Sequence, residues 1–178
     1  MLMKSLKSSL LVVAWLLVTS HPAFAQVERV VVEADGMSSA CAPALEAALK
    51  SLESVYKYAI SVQKQMFSVF YYSGEKFQPK DLRWAADKGE AEVLKLHVSA
   101  TGKIQQEGDQ QFLVAGEDRF LIVNATMKLP TGVSLGVIGV VDDSEDPMQM
   151  RPDDFQLVPD DGPSATSKPA GEAPVEKR

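Results

Sequence analysis

The sequence is poor in the residues that build disulfides, zinc clusters and hydrolytic triads. Its 178 residues include one cysteine, Cys41, and two histidines. One thiol cannot close a disulfide within the chain, so the fold must be held by its apolar core. His21 lies in a segment that we expect to be removed. The remaining imidazole, His97, cannot supply a histidine-rich zinc site, and no nucleophile–base pair or pair of carboxylates is evident, so we predict that the protein is not an enzyme.

The chain also lacks an apolar run long enough to span a membrane. Its run from Leu10 to Val18 has nine residues, well short of the roughly 20 that a membrane helix needs. Lys4 and Lys7 precede this run, and Ala23-Phe24-Ala25 follows it as a small-x-small cleavage site. This arrangement predicts a signal peptide over residues 1–25 and an exported, periplasmic or secreted protein without a membrane span.

Positive charge is in deficit as well. The chain has 18 basic against 24 acidic residues, and loss of Lys4 and Lys7 with the signal peptide changes the net charge from −6 to −8. Binding of nucleic acid requires a concentrated basic surface. The acidic balance therefore argues against a nucleic-acid partner.

Residues 27–97 contain alternating strand and helix patterns. Pro43 and Pro79 stand where first helical turns are expected, and the apolar residues after each proline recur at helical spacing. β-branched and aromatic residues dominate the segments between them. We predict strands at 27–34, 54–63, 66–72 and 93–98, with one helix after Ser38 or Ser39 and a second from Pro79 to Gly89. The resulting β-α-β-β-α-β order predicts a ferredoxin-like domain over residues 27–97.

The pattern changes after His97. Five short strand-like runs, separated by turn residues, indicate a small all-β domain over residues 98–158, for which we favour an OB-like barrel. They fall at 98–104, 111–115, 119–123, 133–141 and 154–158. Only Thr101-Gly102 interrupts the stretch from Val93 to Ile104, so the last strand of the first domain can continue into the second. The predicted fold class is α+β, and the proline-rich residues 159–178 are predicted to be a disordered tail.

The segment from Gly36 to Leu49 resembles the metal-binding loop and first helix of heavy-metal-associated domains. Those domains occur in copper chaperones, periplasmic mercury-binding proteins and metal-pumping ATPases. The shared features are Gly36-Met37, the spacing of eight residues from Cys41 to Leu49, and the element order over residues 27–97. The resemblance implies an exposed loop in which two cysteines hold a soft cation such as Cu(I).

This chain departs from the family pattern at the first of those cysteines. If Cys41 corresponds to the second cysteine, Ser38 or Ser39 stands near the place of the first, and a hydroxyl oxygen is a hard, neutral ligand for a soft ion. Cys41 and the Met37 thioether remain as candidate ligands. Three roles stay open for Cys41: a metal ligand, a free or partner-bridging thiol, and a small buried residue at the start of the helix.

Two other features bear on function. His97 alternates with Leu96 and Val98, which predicts that it lies on the sheet surface. A group of aromatic residues can form either a binding face or part of the core: Tyr56, Tyr58, Phe67, Phe70, Tyr71 and Tyr72.

Two functions follow from the sequence. The first is an exported carrier of a soft metal ion, with a single-cysteine site at Cys41 and Met37. The alternative is a metal-free protein–protein interaction module that has lost the metal site. A disulfide or metal ion at Cys41 can also bridge two chains into a homodimer.

Overall fold

The computed structural model describes residues 25–159. It contains eight strands and two helices in these residues: β1 (Gln26–Asp35), α1 (Ala42–Lys50), β2 (Val55–Ser61), β3 (Met66–Tyr71), α2 (Pro79–Lys88), β4 (Glu92–Glu107), β5 (Gln110–Ala115), β6 (Asp118–Ile122), β7 (Ser134–Asp142) and β8 (Gln149–Leu157). The predicted signal peptide and the predicted disordered tail lie outside the described residues, apart from Ala25 and Pro159.

All eight strands belong to one mixed sheet. Their order is β2-β3-β1-β4-β5-β6-β8-β7, and β4 pairs with β7 as well, so the last five strands form a closed ring of pairings. Every pairing is antiparallel except that of β6 with β8. Among the described residues, 50% lie in strands and 14% in helices.

The predicted fold class is therefore wrong. The sequence indicated an α+β protein in which a ferredoxin-like domain is followed by a small OB-like barrel, whereas the structure is mostly β with one eight-stranded sheet. The physical reason is β4, a strand of 16 residues. Its first part pairs with β1, and it also pairs with β7 and β5, so one strand is shared by all the neighbouring parts of the sheet.

Gly102 allows β4 to run on without a break, as the sequence had suggested. A Cβ atom built at Gly102 would lie 2.2 Å from the backbone oxygen of Val114 on β5. Only glycine permits this close approach of the two strands. The Thr101-Gly102 pair therefore marks a tight strand contact and not a turn.

The helices pack on one face of the first half of the sheet. Leu45 and Leu49 of α1 and Leu82 of α2 are buried together with Val30 and Val32 of β1. Val31, which alternates with these valines, is only half-buried. The two faces of the sheet thus differ, and the one opposite the helices, which we call the open face, carries the side chains considered next.

Candidate functional site

Cys41 lies at the N-terminus of α1, where the sequence placed it. Its backbone N–H donates to the Ser38 hydroxyl oxygen at 3.2 Å, and its thiol donates to the Glu90 carboxylate, with 3.2 Å between Sγ and Oε2. The side chain is half-buried.

Met37 belongs to the core and is only 6% exposed. The side-chain amide of Gln65 holds its backbone on both sides: it accepts from the Met37 N–H at 3.0 Å and donates to the Met37 carbonyl at 2.8 Å. The loop is therefore fixed with the methionine side chain packed inward. Within residues 25–159, there is no group of three or more His, Cys, Asp or Glu residues that could hold a metal ion.

His97 lies on the open face, half-buried, where it forms a small charged network. Its Nε2 lies 2.7 Å from Oε1 of Glu33, and Nζ of Lys95 lies 3.2 Å from the other oxygen of that carboxylate. The hydrogen bond from His97, followed by that from Lys95, lowers the pKa of Glu33. Both oxygens of the Glu33 carboxylate are therefore engaged by side chains of β4.

A second feature of the open face is a group of three rings, Tyr56, Phe70 and Tyr72, which we call the aromatic patch. The ring centroid of Tyr56 lies 6.1 Å from that of Phe70 and 5.4 Å from that of Tyr72. Both tyrosines are 53% exposed. Rings at these separations attract one another, so the patch is a defined surface and not three independent side chains.

Two irregularities in strand pairing produce this arrangement. On β2, Val55 is opposite Tyr71 and Lys57 is opposite Phe70, so Tyr56 is an extra residue in the strand. On β1, Glu28 is extra in the same way in the pairing with β4. Such β-bulges redirect side chains and are common next to binding sites.

Two cations flank the central ring of the patch. The Arg29 guanidinium carbon lies 5.4 Å and Nζ of Lys57 lies 5.3 Å from the Phe70 centroid. Cations at this distance from a ring are attracted by its π electrons. Among the ion pairs of residues 25–159, none involves Arg29 or Lys57. Their charges are therefore available to a ligand.

A groove extends from the patch across the open face. Its first part, of ≈ 460 Å³, is lined by Tyr56, Phe70 and neighbouring side chains that include Glu28 and Ser99. The same two residues line a second, smaller cavity that continues over β7 and β8. Glu28 is held there by the Thr101 hydroxyl, which donates to its carboxylate at 2.6 Å. The groove thus combines aromatic, cationic and hydrogen-bonding groups with the Glu28 carboxylate.

The six aromatic residues picked out in the sequence divide between the two faces. Phe67 and Tyr71 are buried on the helix side, Tyr58 is half-buried there, and the remaining three form the aromatic patch. The positions of Arg29 and Lys57 beside Phe70 were not predicted from the sequence. One available signal was that the stretch from Val55 to Tyr72 contains two lysines and no acidic residue in an acidic chain.

No protein-family model matches this chain, and no curated protein matches it in sequence. In residues 25–159, neither helix has the length and apolar character needed to cross a membrane.

Proposed function

We propose that this chain is an exported, non-enzymatic protein that binds another protein through the aromatic patch. The observation that carries the proposal is the exposure of Tyr56 and Tyr72 beside two cations that have no ion-pair partner among residues 25–159. Aromatic and arginine side chains are enriched at protein–protein interfaces and contribute much of their binding energy. Exposed rings that are held in place by neighbouring rings lose little conformational freedom on binding.

The geometry around Cys41 supports this function over a metal carrier. A soft-metal carrier needs ligands that can turn toward the ion. Met37 is packed in the core, and the Cys41 thiol is engaged by Glu90. These contacts favour the interaction module, the second of the two functions that the sequence suggested.

Capture of partners on the immobilised mature chain tests the proposal. The exported protein fraction of the source cells is passed over wild type, over the double variant Tyr56→Ser/Tyr72→Ser, and over Leu94→Ser. Leu94 is a matched control because it is 58% exposed on β4, away from the patch. We expect wild type and control to retain the same protein, and the double variant to bind it about tenfold or more weakly. Equal retention by the double variant, or no specifically retained protein, contradicts the proposal.

Soft-metal binding at Cys41 is the second candidate function. The observation in its favour is that the Cys41 thiol is only half-buried and so partly accessible to an ion. The test is titration with Cu(I) against a competing chelator. Binding in the micromolar range or tighter that is lost in Cys41→Ala supports a metal site, and its absence excludes one. Non-reducing electrophoresis and sizing of the same samples test whether Cys41 bridges two chains.

A further inference from the structure

We propose that the partner presents an extended, acidic peptide segment, which adds to the sheet as a new strand along β2. This inference rests on the proposed function, because it names the chemistry of the partner and the way in which it docks. It is carried by the position of β2 in the sheet, by the charge of the hairpin that contains it, and by the aromatic patch beside it.

β2 is the terminal strand of the sheet, and among residues 25–159 it pairs with β3 alone. One edge of its backbone therefore lacks a neighbouring strand. Exposed edges of this kind bind extended peptides, in which main-chain hydrogen bonds provide affinity and alternate side chains provide specificity. With seven residues, β2 is long enough to pair with a short segment.

The β2–β3 hairpin is positively charged. The hairpin from Val55 to Tyr72 contains Lys57 and Lys64 and no acidic residue, although the chain as a whole carries a net charge of −6. Arg29 on β1 adds a third cation, and together with Lys64 it lines a groove that extends over β1, β3 and β2. None of the three has an ion-pair partner in the described part of the chain. A lysine on an edge strand discourages pairing with an added strand, and an opposite charge on that strand offsets the cost. An acidic strand is the one that this edge selects.

The aromatic patch lies beside the position that an added strand would take. Side chains alternate between the faces of a strand, so every second residue of an added segment projects over the open face. There it meets Lys57 and the exposed ring of Tyr56, which the bulge in β2 places beside Phe70. Carboxylates on this face of the segment pair with the cations. Diagonal contacts from neighbouring strands are within reach of aromatic rings.

A second copy of this chain is a poorer occupant. Pairing β2 with its own copy would bring the lysines of two hairpins together, and like charges across neighbouring strands are destabilising. We therefore commit to a separate acidic segment, and the oligomeric state is measured as part of the test.

The experiment uses the full mature chain and a defined probe. The probe is a fluorescent eight-residue peptide in which glutamate alternates with valine, and its control alternates lysine with valine. We expect the acidic peptide to bind by fluorescence anisotropy and the basic peptide not to bind. Lys57→Glu should weaken binding about tenfold, and Lys57→Gln about threefold. Lys103→Glu, a matched change at an exposed site on β4, should alter it less than twofold.

Hydrogen exchange separates strand addition from other modes of binding. We expect the acidic peptide to slow exchange of backbone amides between Val55 and Ser61, because an added strand accepts hydrogen bonds from the outer edge of β2. Binding without such protection overturns strand addition, yet leaves the proposed function standing. Absence of binding, or equal binding of the basic peptide, overturns the acidic segment, whereas the capture experiment with Tyr56→Ser/Tyr72→Ser judges the proposed function separately. A dimer that protects these amides without peptide overturns the proposal in favour of a second copy.

Discussion

Asp118 is a buried carboxylate of which only one oxygen accepts a hydrogen bond. It lies at the start of β6 and is 2% exposed. Its Oδ2 accepts from the Phe77 N–H at 3.0 Å, whereas Oδ1 has no hydrogen-bond partner in the described structure. Burial raises the pKa of Asp118 from 3.8 to about 6, against the opposing effects of the Phe77 N–H and of Lys76. The perturbation that tests this environment is Asp118→Asn.

The sign and size of the effect follow from the two pKa values. Because the pKa is higher in the folded than in the unfolded state, the folded protein holds the proton more tightly. Stability from this group is therefore present in full below the unfolded value of 3.8 and is lost as the pH rises through about 6. A difference of about two pKa units corresponds to roughly 3 kcal/mol, and we expect a change of about 1–3 kcal/mol in the free energy of unfolding.

Asparagine has the same shape, keeps an oxygen for the Phe77 N–H, and does not ionise. It leaves an unpaired amide N–H₂ at the buried position of Oδ1, as the protonated carboxyl of wild type leaves an unpaired O–H there. The two proteins should therefore have similar stabilities at pH 4.5. Asp118→Asn should be the more stable at pH 7.5, where wild type contains a buried charge.

Urea unfolding followed by circular dichroism at pH 4.5, 5.5, 6.5 and 7.5 measures this difference. Asp109→Asn serves as the control, since Asp109 is an exposed aspartate between β4 and β5. The difference in stability between wild type and Asp118→Asn should change by about 1–3 kcal/mol over this range, and that between wild type and control should stay constant. A pH-independent difference for Asp118→Asn would refute the reasoning.

Three further predictions concern other parts of the fold. Gly102→Ala should reduce the free energy of unfolding, measured in urea, by about 1–3 kcal/mol, since its Cβ would collide with Val114. An unchanged value would contradict the close approach of β4 to β5 at Gly102. Arg83→Ala should cost less than about 1 kcal/mol because the arginine side chain of its pair with Asp143 is about half exposed. A larger loss in the same assay would contradict this view. Native-state labelling should modify Cys41, which is half-buried, and complete protection until unfolding would place the thiol in the core.

The positions of helices and strands followed from local patterns in the sequence. Pro43 and Pro79 stand in the first turns of α1 and α2, and the sequence placed a helix at each. Each strand predicted between Val27 and Val158 overlaps a strand of the structure. Local signals were sufficient here because turn residues and side-chain periodicity act over a few neighbouring residues.

The assembly of the strands did not follow from those patterns. Alternation of apolar residues shows that a segment is extended, but the same pattern fits many partners. The pairings of β4 with β7 and of β6 with β8 join segments that are distant in sequence or separated by a long connection. The strand patterns did not reveal these pairings, and the predicted α+β fold class is therefore wrong.

The candidate site was only partly predictable for a related reason. The sequence contained the aromatic residues, but Phe70, Tyr71 and Tyr72 are consecutive, and alternation alone does not tell which ring faces the core. The bulge at Tyr56 adds a residue on β2 opposite a regular β3, which depends on the pairing of both strands. Binding by this patch stays a prediction, as does metal binding at Cys41 and Met37.

The two ends of the open face differ in how their charges are balanced. Around Glu33, one carboxylate is shared by His97 and Lys95, so that cluster is complete within the protein. Around Phe70, two cations lie against a ring and form no ion pair among the described residues, although the Glu28 carboxylate lines the same groove. Two like charges near one ring repel each other, and the repulsion is relieved when a carboxylate lies between them. An acidic ligand would therefore stabilise the patch end of the open face. At the Glu33 end it would find no cation without an ion-pair partner. Substitution of Lys57 is therefore the direct test of binding.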